Sequence, residues 1–239
     1  MKKIKLLAIS ASPRKGNSQY LLEKALECVS ELPFPVEVQT YSMRGKKIGP
    51  CIGCLKCYEN GGQCILKDDF NELREMWIKA DGIIYSSPVY VVGIPGQLKC
   101  FYDRLHNSFY GYYEVTSMRH MKAIGFITQG ACIYGGQELA MQSIILHATL
   151  INSVPVAPDG SHIGSGGWTG GRFDVEASKD RAVEQTPDAS ITIDTARSMV
   201  KRVVETAAIL KSGVSALSNV LEKDPRYVPF IKRMNEEEA

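Results

Sequence analysis

The sequence predicts a three-layer α/β domain, with helices on both faces of a doubly wound, five-stranded parallel sheet. Two observations carry that prediction. Short, nearly all-apolar runs of strand length recur along the chain, and segments of helical period alternate with them. Strands buried on both faces read as continuous apolar runs, and parallel neighbours need a long crossover between them, usually a helix.

Ile4 to Ile9 is the first apolar run, and Ser18 to Val29 follows a polar loop with helical spacing. Pro35 to Tyr41 (PVEVQTY) alternates apolar and polar, as a half-buried strand does. Asp68 or Asp69 can cap a helix reaching Lys79, and Asp81 to Ser86 (DGIIYS) is the third strand. Pro95 opens a helix to His106, a first-turn position that tolerates proline. Lys122 to Thr128 (KAIGFIT) is a strand and Gly136 to Thr149 a helix, followed by a short strand from Ser153 to Ala157. Ile193 to Lys211 closes the chain's regular structure. Two stretches fall outside this rhythm: a cysteine loop over 50–68 and a Gly-rich loop over 158–192. Loops of such length in compact domains are usually functional. With no repeat and no linker, a single domain over 1–212 is expected, then a C-terminal tail over 213–239.

The chain has 239 residues, 44% of them hydrophobic, and a net charge of +2. Interspersed charge of both signs gives no electrostatic reason to expect a nucleic-acid partner. No apolar run approaches the length needed to cross a bilayer, so no membrane association is expected. Ser10, Ser12, Pro13 and Arg14 end the N-terminal apolar run at strand length, short of a secretory signal. A cytoplasmic protein is expected. In a reducing cytosol, clustered cysteines are more often metal-binding or catalytic than disulfide-bonded.

"SASPRKGNS" (Ser10 to Ser18) joins the first strand to the first helix. Ligands of doubly wound sheets bind beyond the carboxyl ends of the strands, and a helix N-terminus there suits a phosphate. Ser10, Ser12, Asn17 and Ser18 add hydroxyl and amide groups. The loop ends Gly-Asn-Ser, so it lacks the Gly-Lys-Ser/Thr of a nucleotide-triphosphate loop, and it is no G-x-G-x-x-G either. Read alone, it is equally a capped polar turn without a ligand.

"PCIGCLKCYENGGQC" (Pro50 to Cys64) holds four of the seven cysteines. Pro50, Gly53, Gly61 and Gly62 argue against one buried helix, so Cys51, Cys54, Cys57 and Cys64 belong to a single loop. A run spaced C-x2-C-x2-C can wrap one compact centre, as ferredoxin runs do. Zinc on four thiolates and plain free thiols remain open on spacing alone. Cys28 and Cys100 read as buried thiols, and Cys132 is given no role.

The first loop together with "SSPVYVVGIPGQLKCFYDR" (Ser86 to Arg104) resembles the flavodoxin-like, NADPH-dependent FMN reductase family. With the cysteine loop, the chain is most similar to the iron–sulfur flavoprotein branch, over roughly Lys3 to Thr149. The resemblance implies FMN and a [4Fe–4S] cluster held by the four loop cysteines. Ser10, Ser12, Arg14, Asn17 and Ser18 match the FMN-phosphate loop, while Ser87, Pro88, Val89 and Tyr90 match the loop beneath the isoalloxazine. Thr128, Gln129 and Gly130 match a third flavin loop, with Tyr134 and Gly135 nearby. Backbone around Pro88, Gly93 and Gly130 can approach a flat ring closely. His162 and Trp168 could roof the flavin or simply lie in an exposed loop. Lys99, Tyr102, Asp103 and Arg104 fall on a helix that the family uses for subunit contact; otherwise they form a solvated polar face.

The expected function is that of an FMN-dependent oxidoreductase or electron carrier fed by a ferredoxin-like or NAD(P)H donor, working as a homodimer or homotetramer. No catalytic side chain is nominated. A plain NAD(P)H-dependent FMN or quinone reductase without a cluster, and a zinc- and flavin-binding regulator, are the alternatives.

Overall fold

The computed structural model describes residues 2–160, 163–169 and 189–235. Its strands are β1 (Ile4–Ser10), β2 (Val36–Ser42), β3 (Gly82–Pro88), β4 (Ala123–Gly130), β5 (Val154–Pro155) and β6 (Ser165–Trp168). They pair in parallel, in the order β2-β1-β3-β4-β5. This is the doubly wound order whose switch point lies between β1 and β3. β5 pairs with the start of β4 (Val154 opposite Ala123) and β6 with its end (Trp168 opposite Gly130). The two short strands thus share one edge of β4. β6 lies in the Gly-rich stretch expected to be a loop, because Ser-Gly-Gly-Trp carries no apolar alternation to announce it.

The helices are α1 (Asn17–Leu26), α2 (Lys56–Glu59), α3 (Phe70–Lys79), α4 (Gly96–Tyr113), α5 (Gln137–Leu150), α6 (Ala189–Ala216), α7 (Ser218–Leu221) and α8 (Val228–Asn235). α1 and α6 pack together on one face of the sheet. On the other, Tyr85 of β3 meets Trp77 of α3, Tyr102 of α4 and His147 of α5. The core between these layers is continuous, with Leu6 to Ile9, Ile83 to Tyr85, and Ile124 all fully buried.

α4 continues past His106 to Tyr113. Asn107, Ser108 and Gly111 look like breakers in sequence, yet Phe109 and Tyr113 bury their rings and carry the helix on. α6 runs through residue 212, and the chain beyond it turns back on the sheet. Arg233 of α8 reaches Asp81 at the amino end of β3. No helix among the described residues is long and apolar enough to cross a membrane.

Candidate functional site

Parallel pairing brings the ends of β1, β3 and β4 to one edge. Ser10 lies opposite Ser86, Ser87 opposite Thr128, and Pro88 opposite Gln129. Ala11 N–H donates to the Ser86 carbonyl at 2.8 Å, and Val89 N–H to the Gln129 carbonyl at 2.8 Å. Three loops therefore leave the sheet side by side.

In the first loop Ser10, Ser12, Asn17 and Ser18 are buried, while Arg14 is exposed. Ser12 Oγ accepts from Arg14 N–H at 3.3 Å, so its own proton stays available to a ligand. Gly16 caps α1 without a side-chain bond. Ser10 Oγ is buried and has no partner among the described residues. An orphaned buried hydroxyl is costly, and a ligand oxygen at this loop would satisfy it.

The second loop is a tight turn. Tyr90 and Gly93 exchange backbone hydrogen bonds of 2.9 and 3.1 Å, which forces Val91 and Val92 to φ of 48° and 63°. β-Branched residues rarely adopt that left-handed region, and the strain is of order 1–3 kcal/mol each. Val91 is nonetheless fully exposed, beside half-exposed Tyr90 and Val92. A strained apolar tip held out to solvent is the signature of a contact surface, not of core packing.

The third loop closes against the second. A Cβ on Gly136 (φ +101°) would stand 2.6 Å from Val92 Cα, so only glycine permits this approach. Gln137 Nε2 donates to the Cys132 carbonyl at 2.9 Å and the Gly167 carbonyl at 3.1 Å, tying loop to β6. Thr128 Oγ1 donates to the Gln137 carbonyl at 3.3 Å. Gln129 Oε1 and Gln137 Oε1 are buried without partners among the described residues, further acceptors at the same edge. Tyr134 is exposed at φ 58°, and Trp168 stands in register with Gly130. His162 lies outside the described residues. Sequence reading missed Gln137; a lone polar residue opening a helix does not announce three partners.

The cysteine loop sits on α4. Cys51, Cys54, Cys57 and Cys64 line one cavity with Ile52, Leu55, Ile65, Leu66, Arg104 and Asn107. Burial pushes the Cys57 thiol up, and the neighbouring Cys64, Cys51 and Cys54 push it the same way. Among the described residues no three His, Cys, Asp or Glu side chains take up the arrangement of a single-ion site.

Buried polar residues frame this loop. Arg104 forks onto Asp68 at 2.5 and 2.9 Å, and Asp68 also accepts from Gly49 N–H at 2.9 Å and Phe70 N–H at 3.2 Å. Asn71 brackets Cys64, accepting from its N–H and donating to its carbonyl, both at 3.0 Å. Fully buried Arg74 donates to Ser108 Oγ at 3.1 Å and to the Gly61 carbonyl at 3.4 Å. Arg104 and Tyr102 are therefore buried, against the alternative of a solvated polar face; Tyr102 stacks on His147 at 3.7 Å. Lys99 and Asp103 alone of that group are exposed, paired with each other. Cys28 is a buried thiol donating to the Ala25 carbonyl at 3.2 Å, and Cys100 is half-buried.

Gly111 is the notch that seats the loop. A Cβ there would lie 2.0 Å from the Cys57 carbonyl oxygen and 2.8 Å from Tyr58 Cα, both backbone atoms. Gly111→Ala is expected to lift α2 off α4, at a cost of about 1–3 kcal/mol. Faster proteolysis within 50–64, with the sheet's unfolding still cooperative, would show it. Cleavage unchanged from the native chain would contradict the seating.

The family model for NADPH-dependent FMN reductase matches residues 4–167. An iron–sulfur flavoprotein of Methanocaldococcus jannaschii is 34% identical over 210 residues, covering 87% of this chain and 100% of that protein. An iron–sulfur flavoprotein of Archaeoglobus fulgidus is 35% identical over 166 residues, covering 69% of this chain and 82% of that protein. Among solved structures, RosB with bound 8-demethyl-8-formylriboflavin-5'-phosphate aligns with a TM-score of 0.64 at 13% identity, covering 92% of this chain and 87% of that one. That level of identity speaks for the shared fold alone. The chain belongs to the NADPH-dependent FMN reductase family, in its iron–sulfur flavoprotein branch, and is a flavin-dependent oxidoreductase.

Proposed function

We propose that FMN binds at the edge formed by β1, β3 and β4, and that Cys51, Cys54, Cys57 and Cys64 hold a [4Fe–4S] cluster. The observation that carries the reading is the cavity itself: four thiols of one loop ring it, with a buried cation, Arg104, in its wall. A single zinc would need all four sulfurs within about 2.3 Å of one ion, whereas a four-iron cluster takes one thiolate at each iron. The donor set therefore fits the cluster.

Ser10, Ser12, Asn17 and Ser18 would hold the phosphate, and Arg14 lies near enough in sequence to swing over it. Pro88, Val89, Tyr90 and Gly93 would offer backbone and apolar contact to the ring, opposite Thr128, Gln129 and Gly130. Tyr134 and Gly135 border the same opening. Bound together, a flavin exchanging one or two electrons and a cluster exchanging one would link an NAD(P)H or ferredoxin-like donor to either kind of acceptor. The chain's part is to orient the ring, exclude water with the apolar tip, and shield the thiolates with Ile52, Leu55 and Ile65. Anaerobic purification followed by iron, sulfide, zinc and flavin assays tests the whole reading. Flavin without iron and sulfide would leave a plain FMN reductase.

Ser12→Ala with Asn17→Ala removes two polar groups from the phosphate loop. Each hydrogen bond to a charged group contributes about 1.5–3 kcal/mol, so FMN affinity is expected to fall by at least about tenfold. Fluorescence titration of apoprotein measures it, and unchanged affinity would move the phosphate elsewhere.

The reading includes a homodimer or homotetramer. α5 leaves Leu139, Leu146 and Leu150 at least half exposed along one side, beside a groove lined by Ile94, Lys99 and His106. Sedimentation of cofactor-loaded protein is expected to give a dimer or larger; a monomer at high concentration would refute this.

A further inference from the structure

We infer that Arg104 and Asn107 of α4 are positioning residues that raise the midpoint potential of the cluster held by the loop cysteines. The inference rests on the cluster assignment above and goes beyond it. Both side chains line the cavity with the four thiols. Asn107 Nδ2 donates to Cys51 Sγ at 3.7 Å while also reaching the Asp103 carbonyl at 3.3 Å.

Arg104 is the more telling case. Its side chain is 1% exposed, an expensive place for a cation. Nη1 donates to Asp68 and, at 3.3 Å, to the Gly49 carbonyl, and Nη2 donates to Asp68. These bonds fix the guanidinium plane. They leave Nε–H buried with no partner among the described residues. The charge-assisted fork onto Asp68 keeps the group cationic. Were Arg104 only a brace for Asp68, a buried orphan N–H in the wall of a thiol-lined cavity would be pure cost.

Sulfur supplies the missing acceptor. Thiolate and bridging sulfide both accept N–H bonds, and such bonds strengthen as an electron is added, because the reduced centre carries more negative charge. Hydrogen bonds to sulfur and nearby positive charge are recognised levers on cluster potential. Asp68 is what makes the cation affordable in this wall, and its own oxygens are spent on Gly49 and Phe70.

The test is a redox titration of the intact, anaerobically prepared protein, with the cluster followed by its paramagnetic signal and the flavin by absorbance. Three proteins are compared: native, Arg104→Lys, and Arg104→Gln combined with Asp68→Asn, which removes both charges and leaves no buried carboxylate unpaired. The cluster potential is expected to fall in that order. Loss of the fork's N–H donors, at unchanged net charge, should change the one-electron equilibrium at least tenfold, 59 mV. The flavin potential should hold still. Should the double variant fail to load, Asn107→Ala carries the test, with a smaller fall expected in the same direction. Loaded variants with native cluster potential would overturn this inference and leave the cluster intact. Native protein without iron would overturn the cluster assignment and this inference with it.

Discussion

Replacing Cys57 by Ala is expected to strip iron and sulfide from anaerobically prepared protein while FMN stays bound. Cys57 is the cysteine at the centre of the loop: its thiol is raised by burial and by all three other cysteines, so it lies within electrostatic reach of each. Its carbonyl accepts from Gly62 N–H at 2.9 Å, which closes the loop onto itself. Alanine keeps that backbone bond and removes only the proposed ligand. Loss of an outer-shell partner alone commonly costs 10–100-fold in metal affinity, so loss of a ligand should lower occupancy at least about tenfold. The phosphate and ring loops leave other strand ends, away from the cysteine loop on α4. Reduction through a one-electron donor should therefore fall far more than direct reduction of the flavin by dithionite. Cys28→Ala, which removes a thiol bonded to the Ala25 and Arg197 carbonyls, should do none of this. Zinc in place of iron in the native protein would reassign the loop, and full iron content in Cys57→Ala would remove Cys57 from the ligand set.

Much of this was legible because it is written in local pattern. The apolar runs at Ile4, Asp81 and Lys122 fall on β1, β3 and β4, since strands buried on both faces cannot hide their composition. The loop cysteines could be grouped because glycine and proline argue against one long buried helix through them. What could not be read depends on partners far away in the chain. Arg104 looks like a surface residue until Asp68, from another loop, pairs with it. Gly111 looks like a helix stop until the Cys57 carbonyl needs the space its side chain would take. Val91 and Val92 look like strand residues, and nothing local announces the left-handed turn that the bridge from Tyr90 to Gly93 imposes. β6 was hidden for a related reason: Gly166 and Gly167 are chosen for what lies over them, and so carry no strand pattern. Polar residues and glycines are ambiguous in sequence because their meaning is tertiary.

At the opposite end of the sheet, Asp81→Ala is expected to cost the most stability of any single change outside the site. Asp81 is 3% exposed. Its Oδ1 accepts from Arg233 Nε at 3.0 Å, and its Oδ2 from Lys211 Nζ at 2.8 Å and Lys5 N–H at 3.0 Å. Lys122 is buried close by, its Nζ donating to the Ile78 carbonyl at 3.0 Å and to that of Ala80. One carboxylate thus balances cations from α6 and α8, and it fastens the segment after residue 212 to the sheet. Removing one partner of a buried pair typically costs about 3–5 kcal/mol, because the opposite charge is left uncompensated. Replacing Asp81, Lys211 and Arg233 together by apolar residues should cost less than Asp81→Ala alone. The pH dependence follows from the same contacts. Burial raises the Asp81 carboxyl, but Arg233, Lys211 and the Lys5 N–H outweigh it and hold it below the usual carboxylate range. A carboxyl depressed in the folded state stabilises fully above its unfolded value, about 3.9, and that contribution drains away as pH falls through the folded value. Urea midpoints by circular dichroism should therefore separate native protein from Asp81→Asn at pH 7 and converge as pH drops below about 4. FMN content of the folded variant should match the native protein, since the flavin edge lies at the other end of the strands. A loss below about 1 kcal/mol at pH 7, the range of an exposed pair, would mean that water reaches Asp81 and that α8 is not locked to the sheet.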